Sequence, residues 1–375
     1  MYRSSIKQGT SKTSAILIGA GTLITGTINA VIIKEQDIIK NDAGKEFFHP
    51  FLQTFFMFFA EFIILLVFYG LMSYSINFKN EFVIRREEAR RLGRNIKTNN
   101  LLPIFPALVD LIGSILQFVS IFLMDPSIYV MLRGGVPITT AIFSALFLKT
   151  RLYSHHKVGL TSIFLGLVFL CMSSLMTQQT HPAVSIIFAL SSLVTTGIQF
   201  VIEEKVLAQS FLHPLKLVGL EGLWGIMLSS VILLMMSFIK CNEGSEFCNG
   251  GHLEDIPATL KQVFGNSSLL LVVLIAIINS SFFNFFGMSV AKYVSPVVRT
   301  SISVFVSILV WIYSFVRLNH EFSTLQLAGF ILVVFGNLIN QEILEIPGLN
   351  TNTRKNQEKR ALFNESLAVE DDDDE

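Results

Sequence analysis

Ten stretches of roughly 20 apolar residues run along this 375-residue chain, each long enough to cross the ~30 Å hydrocarbon core of a bilayer as a helix. They are Ser14–Ile33, Pro50–Tyr74, Leu101–Leu123, Ile128–Leu148, Val158–Met176, Pro182–Ile202, Leu215–Ile239, Ser268–Ser289, Pro296–Phe315 and Leu325–Leu344. They are apolar all round, and hydrocarbon offers no partner to an unpaired backbone group, so each is predicted as a helix. The balance of residue types agrees. Charged residues make up 15% of the chain, against roughly 25% in soluble proteins, and the mean hydropathy is +0.59. So little charge cannot cover a water-facing surface. The sequence therefore predicts an all-α, polytopic membrane protein and excludes disordered, collagen-like and disulfide-scaffold chains. The first stretch follows Lys7 and Lys12, but it is longer than a usual signal core and lacks a small-residue cleavage site, so it reads as a span.

Basic residues set the expected orientation, because they stay on the cytosolic side. With ten spans both termini share one face. That face collects 20 Lys and Arg, including Lys79, Arg85, Arg86, Arg90 and Arg91 in the loop after the second span. The other face has 6, and Arg133 and Arg299 fall within spans. Both termini are expected in the cytosol. The basic loop Asn77–Asn100 has a helical pattern and is expected against the anionic cytosolic leaflet. Cys241 and Cys248 fall in the loop after span seven, on the side where a disulfide persists, and are expected to pair there rather than stay free. Asn266-Ser267-Ser268 is a glycosylation sequon on that side, close to span eight.

The two halves echo each other. His49-Pro50 opens span two and His213-Pro214 opens span seven, while Gly159 and Gly166 match Gly329 and Gly336 at the same interval. Five spans repeated must enter the membrane upside down the second time, which is the inverted repeat of many secondary transporters. The expected organisation is residues 1–13 as a cytosolic N-terminus and 14–178 as a first five-helix repeat. Residues 182–346 form the second repeat, with a luminal cysteine loop at 240–267, and 347–375 form a disordered, acidic cytosolic tail.

Ionisable groups inside a membrane are costly and mark cavities or pairs. Glu61, Asp110, Arg133, Glu221 and Arg299 lie within spans. Acids fall on repeat partners two and seven, and arginines on partners four and nine, so one central polar cavity is the simplest arrangement. Pairing that merely locks helices is the competing reading, strongest for Glu61 and Glu221. An arginine cannot discharge, so Arg133 and Arg299 need an anionic partner, either an acid of the chain or a group of a substrate. Gly134, Gly135 and Pro137 follow Arg133 and predict a hinge in span four. Asn284 in span eight is a candidate polar contact to the cavity. Glu203-Glu204-Lys205 reads equally as a gate latch or as a solvated helix end.

In chain order, His49-Pro50-Phe51-Leu52-Gln53, Asp110, Met131-Leu132-Arg133-Gly134, Glu203-Glu204-Lys205, His213-Pro214-Leu215, Glu221-Gly222-Leu223-Trp224-Gly225, Phe283-Asn284-Phe285 and Arg299 form a recognisable set. On these motifs the chain resembles the drug/metabolite transporter superfamily, in particular the F subfamily of solute carrier family 35, near its lysosome-associated branch. More distantly it resembles the chloroquine-resistance transporters. The resemblance runs from Ser14 to Leu344. It implies two inverted five-helix repeats, alternating access, a cavity lined by spans one to four and six to nine, a cysteine-containing luminal loop, and an endosomal, lysosomal or Golgi-type membrane. Two positions depart from the family pattern: Ser303 and Val306 stand where relatives often carry an acid and an arginine.

The function expected is secondary transport of a small organic metabolite across an intracellular membrane, with Glu61, Asp110 or Glu221 as candidates for proton coupling. A nucleotide-sugar antiporter of the same fold and a non-transporting membrane adaptor are the alternatives. The expected partners are a small-molecule substrate and the lipid bilayer, with the chain as monomer or homodimer. Zero net charge offers nothing to nucleic acid. No enzyme is expected: the seven His lie at helix ends or in loops, without metal spacing or a nucleophile–base pair, and no cofactor or metal is implied.

Overall fold

A computed structural model describes residues 12–40, 46–91, 96, 99–149, 152–176, 181–209, 211–241, 251–293, 296–317, 323–341 and 343–344. Among the described residues thirteen α-helices run in order, α1 (Lys12–Ile38), α2 (Pro50–Tyr74), α3 (Ile76–Arg91), α4 (Ile104–Leu123), α5 (Pro126–Arg133), α6 (Val136–Phe143), α7 (Ser154–Met176), α8 (Pro182–Gln209), α9 (Pro214–Phe238), α10 (Ile256–Gly265), α11 (Ser267–Tyr293), α12 (Pro296–Arg317) and α13 (Thr324–Asn340). A π-turn at Ser144–Leu148 extends α6. Among the described residues β-pairing is limited to isolated bridges. Eight helical segments among the described residues are long and apolar enough to cross a membrane, and Ile302–Arg317 and Thr324–Asn340 are shorter apolar helices.

Small residues set the packing, because helices in lipid gain most from close backbone approach. The most extensive contacts join α7 to α13 and α2 to α9. On α7 and α13 the glycines face each other crosswise. A Cβ on Gly166 would stand 2.6 Å from the Gly329 carbonyl oxygen, and one on Gly336 would stand 2.6 Å from that of Gly159. On α9, Gly219, Gly222 and Gly225 lie on Leu65, Glu61–Phe62 and Phe58 of α2. Next come α4 with α8 and α1 with α11, then α6 with α8 and α1 with α12. Helix α11 also packs on α2, and α4 on α9. Helix α5 is surrounded, touching α1, α4, α7, α8, α12 and α13. The largest buried cluster gathers around it, with Ile128, Met131 and Leu132 against Ile163, Leu170 and Val333.

Several elements differ from the sequence expectation, each for a visible reason. Helix α1 continues past Ile33 because its charged extension is partnered. Lys34 Nζ donates to the terminal carbonyls of α4 at Ile121 (3.1 Å) and Phe122 (3.0 Å). Glu35 accepts from Tyr313 and lies 3.3 Å from Arg317. Gln53 Nε2 donates to Asp37 at 2.8 Å. Helix α8 likewise continues past Ile202, so Glu203, Glu204 and Lys205 lie inside it rather than at its end. Glu203 is half-buried while Glu204 and Lys205 are exposed. The loop after α9 contains a helix that the hydropathy did not signal, α10, started by the Asp255 side chain accepting from Ala258 N (3.1 Å) with Pro257 in the first turn. Asn266 of the sequon uses its side-chain oxygen to cap α11, accepting from Ser268 N at 3.0 Å. The basic loop after α2 does form a helix, α3.

Cys171 is free and half-buried on α7, whereas Cys241 is disulfide-bonded. Cys248 and the tail 347–375 lie outside the described residues. Thiol labelling of the denatured, unreduced protein is expected to modify one cysteine, Cys171. Labelling of all three would exclude the bridge.

Candidate functional site

Span four is broken where Gly and Pro predict it. Helix α5 ends at Arg133, Gly134 and Gly135 form a turn, and α6 starts at Val136 with Pro137 in its first turn. The break is held from outside the span. Asn337 Nδ2 on α13 donates to the Gly134 carbonyl at 2.9 Å, a group the interrupted helix leaves without its usual partner. Gly134 also touches Val333, and Gly135 touches Leu167, so the turn is packed on both sides. Arg133 closes α5 where a cation suits the negative end of the helix dipole. Its side chain is exposed although α5 contacts six other helices.

Four carboxyl groups from four helices form a linked group, and one of them, Asp110, reaches Arg133. Asp110 on α4 lies within electrostatic reach of Arg133, accepts from Ser114 Oγ at 3.1 Å and bonds to Gln199 of α8. Glu61 on α2 is within reach of Asp110 and Glu203. Glu221 on α9 is within reach of Glu203, Glu61 and Asp110. The glycine contact between α2 and α9 is what presses Glu61 and Glu221 together. Glu61 and Glu221 are buried, and Glu61 Oε2 and Glu221 Oε1 have no hydrogen-bond partner among the described residues. Tyr129, one turn before Arg133, is in its field and lies 3.3 Å from Ser192 Oγ.

A second buried polar group sits at the other end of α2. His49 Nδ1 is 2.6 Å from Glu254 Oε1, and Thr259 Oγ1 of α10 lies 3.1 Å from the same nitrogen. His213 stands at the matching N-terminus of α9, where its Nδ1 accepts from Leu215 N at 3.2 Å and its ring packs on Phe68 and Phe78. Between these ends, a narrow cleft of about 50 Å³ runs among α1, α2, α4 and α11, lined by Asn29, Gln36, Gln53 and Gln117. A larger cavity of about 630 Å³ opens beside α3, between Leu71, Asn77, Glu81, His213 and Phe285.

The structure thus brings together Glu61, Asp110, Arg133 and Glu221 of the expected set. Asn284 is half-buried on α11 and makes no side-chain hydrogen bond among the described residues. The side chain of Arg299 lies outside the described residues. Sequence reasoning left out Gln199, Asp37 and Glu254, and read Glu203 equally as part of a gate latch or of a solvated helix end. All four lie near span ends or in loops, where polarity reads as solvation. The Asp255-Ile256-Pro257 helix start was the one signal that the loop is structured.

No family model matches the chain. Solute carrier family 35 member F6 of Homo sapiens is 32% identical over 84% of this chain and 86% of its own length. The chain belongs to solute carrier family 35. Member F6 of Mus musculus is 31% identical over the same shares, and an uncharacterized protein of Schizosaccharomyces pombe is 26% identical over 64% of this chain and 74% of its own. A solved crystal structure of a protein, 14% identical, shares the fold with a TM-score of 0.51 over 89% of this chain and 99% of its own. The F-subfamily resemblance drawn from the motifs is therefore shown, and this member of solute carrier family 35 is a multi-pass membrane protein of a solute-transporter family.

Proposed function

We propose that this solute carrier is a secondary transporter that moves a small organic metabolite by alternating access, coupled to protons. The observation that carries the reading is the group formed by Arg133, Asp110, Glu61, Glu203 and Glu221 at a broken helix. Broken helices and ionisable residues inside the bundle are the usual makings of a transport site. Two unpartnered carboxyl oxygens give that site places to take and release a proton. The group counts four acids to one described guanidinium, and Asp110 already supplies Arg133 with a negative neighbour. That balance suits a neutral or cationic metabolite and disfavours the diphosphate of a nucleotide sugar.

In this reading the chain has ten spans in two inverted repeats. The packing supports it. Exchanging α1 with α8, α2 with α9, α4 with α11, α5–α6 with α12, and α7 with α13 turns each major helix contact into another that is present. The crosswise glycines transform the same way, since Gly159 against Gly336 becomes Gly329 against Gly166. Gly134, Gly135 and Pro137 serve as the hinge, and Arg299 and Asn284 complete the cavity. The α3 end, with exposed Lys79, Arg86, Arg90 and Arg91, faces the cytosol with both termini. An endosomal or lysosomal membrane is the proposed address, with its acidic lumen as the proton source.

Uptake by the full chain in liposomes, screened over metabolites with and without a pH gradient, tests the function. A solute that accumulates only with the gradient is expected, and Glu61→Gln should abolish the gradient's effect. Equal uptake with and without the gradient would exclude proton coupling.

A further inference from the structure

We propose that one face of α2, with Asp37 and the carboxamide-lined cleft, is the path by which protons reach Glu61 and Asp110 from the α10 end of the bundle. The inference rests on the proton-coupled reading above. His49, Gln53, Met57 and Glu61 recur at every fourth residue, so they form one stripe along α2, about 18 Å from end to end. His49, Gln53 and Met57 each touch a polar group on another element, and Glu61 is within electrostatic reach of Asp110 and Glu203.

At the α10 end, His49 and Glu254 are paired at 2.6 Å with Thr259 beside them, and all three are buried. Glu254 Oε2 has no partner among the described residues. One turn on, Gln53 donates to Asp37 Oδ1, while Asp37 Oδ2 has no partner although the residue is only 2% exposed. Lys34 and Glu46 are the other charges in reach of Asp37. The Lys34 ammonium is engaged with the end of α4, and Glu35 is turned to Tyr313 and Arg317.

Next comes the cleft. Asn29, Gln36, Gln53, Gln117 and Ser280 line it from four helices. Its volume of about 50 Å³ has room for about three waters at roughly 15 Å³ each, and its walls offer the several polar contacts that a buried water needs. Met57 lines the same cleft. On its far side Ser114 Oγ stands 3.3 Å from Met57 Sδ and 3.1 Å from Asp110 Oδ1. The cleft therefore lies between Gln53, which holds Asp37, and Met57, which touches the Ser114 bonded to Asp110. A bundle core filled with aliphatic side chains would avoid the cost of burying Gln36 and Gln53 and half-burying Asn29 and Gln117. Conduction gives that cost a use.

In operation a proton enters from the α10-side solution, where Glu254 and His49 gather it, and passes to Asp37. It then crosses the water in the cleft to Asp110 or Glu61. Each donor is left one proton short and refills from the side it faces. Only O–H and N–H bonds form and break.

A pH jump on oriented proteoliposomes of the full chain, followed by the infrared band of protonated carboxyl groups, tests the path with the proton itself as probe. Glu61→Gln is expected to reduce the amplitude of the band. If it does not, the acid group is not the proton site and the proton-coupled reading fails. Given that loss, Asp37→Asn and Gln53→Leu should each slow the rise about tenfold for a jump on the α10 side, with Gln53→Glu recovering most of the rate. A jump on the α3 side should be unaffected. Unchanged rates in both variants would overturn the path and leave the acid site standing. If Asp37→Asn lowers the folded yield, Gln53→Leu and Gln117→Leu give the same readout.

Discussion

Arg133→Ala is expected to leave the protein inserted and folded and to reduce transport to below about a tenth of the wild-type rate. The loss follows from one charge-assisted contact, worth roughly 1.5–3 kcal/mol, and a tenfold change needs only the lower part of that range. Folding should survive because the guanidinium is exposed, so its removal opens no void in the core. The neighbours that anchor α5, Met131 and Leu132, are buried and untouched. Lysine should restore little, because its single ammonium lacks the planar fork that holds two acceptors. The measurement is initial uptake in liposomes at equal protein density, with the melting temperature in detergent as control. Wild-type uptake by Arg133→Ala would remove the residue from the site. A melting temperature that collapses would make it a strut.

Gly166→Val should have the largest effect on stability. The added side chain would begin 2.6 Å from the Gly329 carbonyl oxygen and 2.7 Å from Val333 Cγ2. The first obstacle is backbone and cannot rotate away, so α7 and α13 must separate. Overpacking of this kind costs up to about 3 kcal/mol, occasionally more, and the lost contact lies in the most extensive helix pair of the bundle. A markedly lower melting temperature and reduced monodisperse yield are expected. Gly70→Ala is the internal control. A Cβ there meets nothing within 4 Å, so that variant should be neutral or slightly stabilising through helix propensity. If both variants melt alike, close approach is not what holds α7 to α13.

Eight of the ten expected spans were legible as helices of membrane-crossing length among the described residues, because hydropathy over a helix length is a property of the chain alone. The break after Arg133 was legible for the same kind of reason, since two glycines and a proline act locally. What escaped was tertiary. Lys34, Glu35 and Asp37 look like the polar end of a span until α4, α12 and α2 supply their partners. Glu203 looks like a solvated end until α8 runs on and turns it towards Glu61 and Glu221. Glu254 carries no signal of burial, because its partner His49 is distant in sequence. Glu61 and Glu221 were each conspicuous, yet their closeness depends on glycines of α9 lying on the α2 backbone, which spacing within one helix does not reveal.

The crosswise glycines of α7 and α13 have a mechanical consequence. Sliding one helix along the other by a single residue, a step of about 1.5 Å, would drive the carbonyl oxygens at Gly159, Gly166, Gly329 and Gly336 out of their notches and into neighbouring side chains. The pair therefore resists translation and tolerates chiefly a small rocking about its crossing points. It can act as a fixed post. Asn337 of α13 also grips the Gly134 carbonyl, so the post holds one side of the interrupted span. Any reorientation that opens the bundle first to one face and then to the other has its fulcrum here, and the work of moving falls to the helices that do not meet through paired glycines.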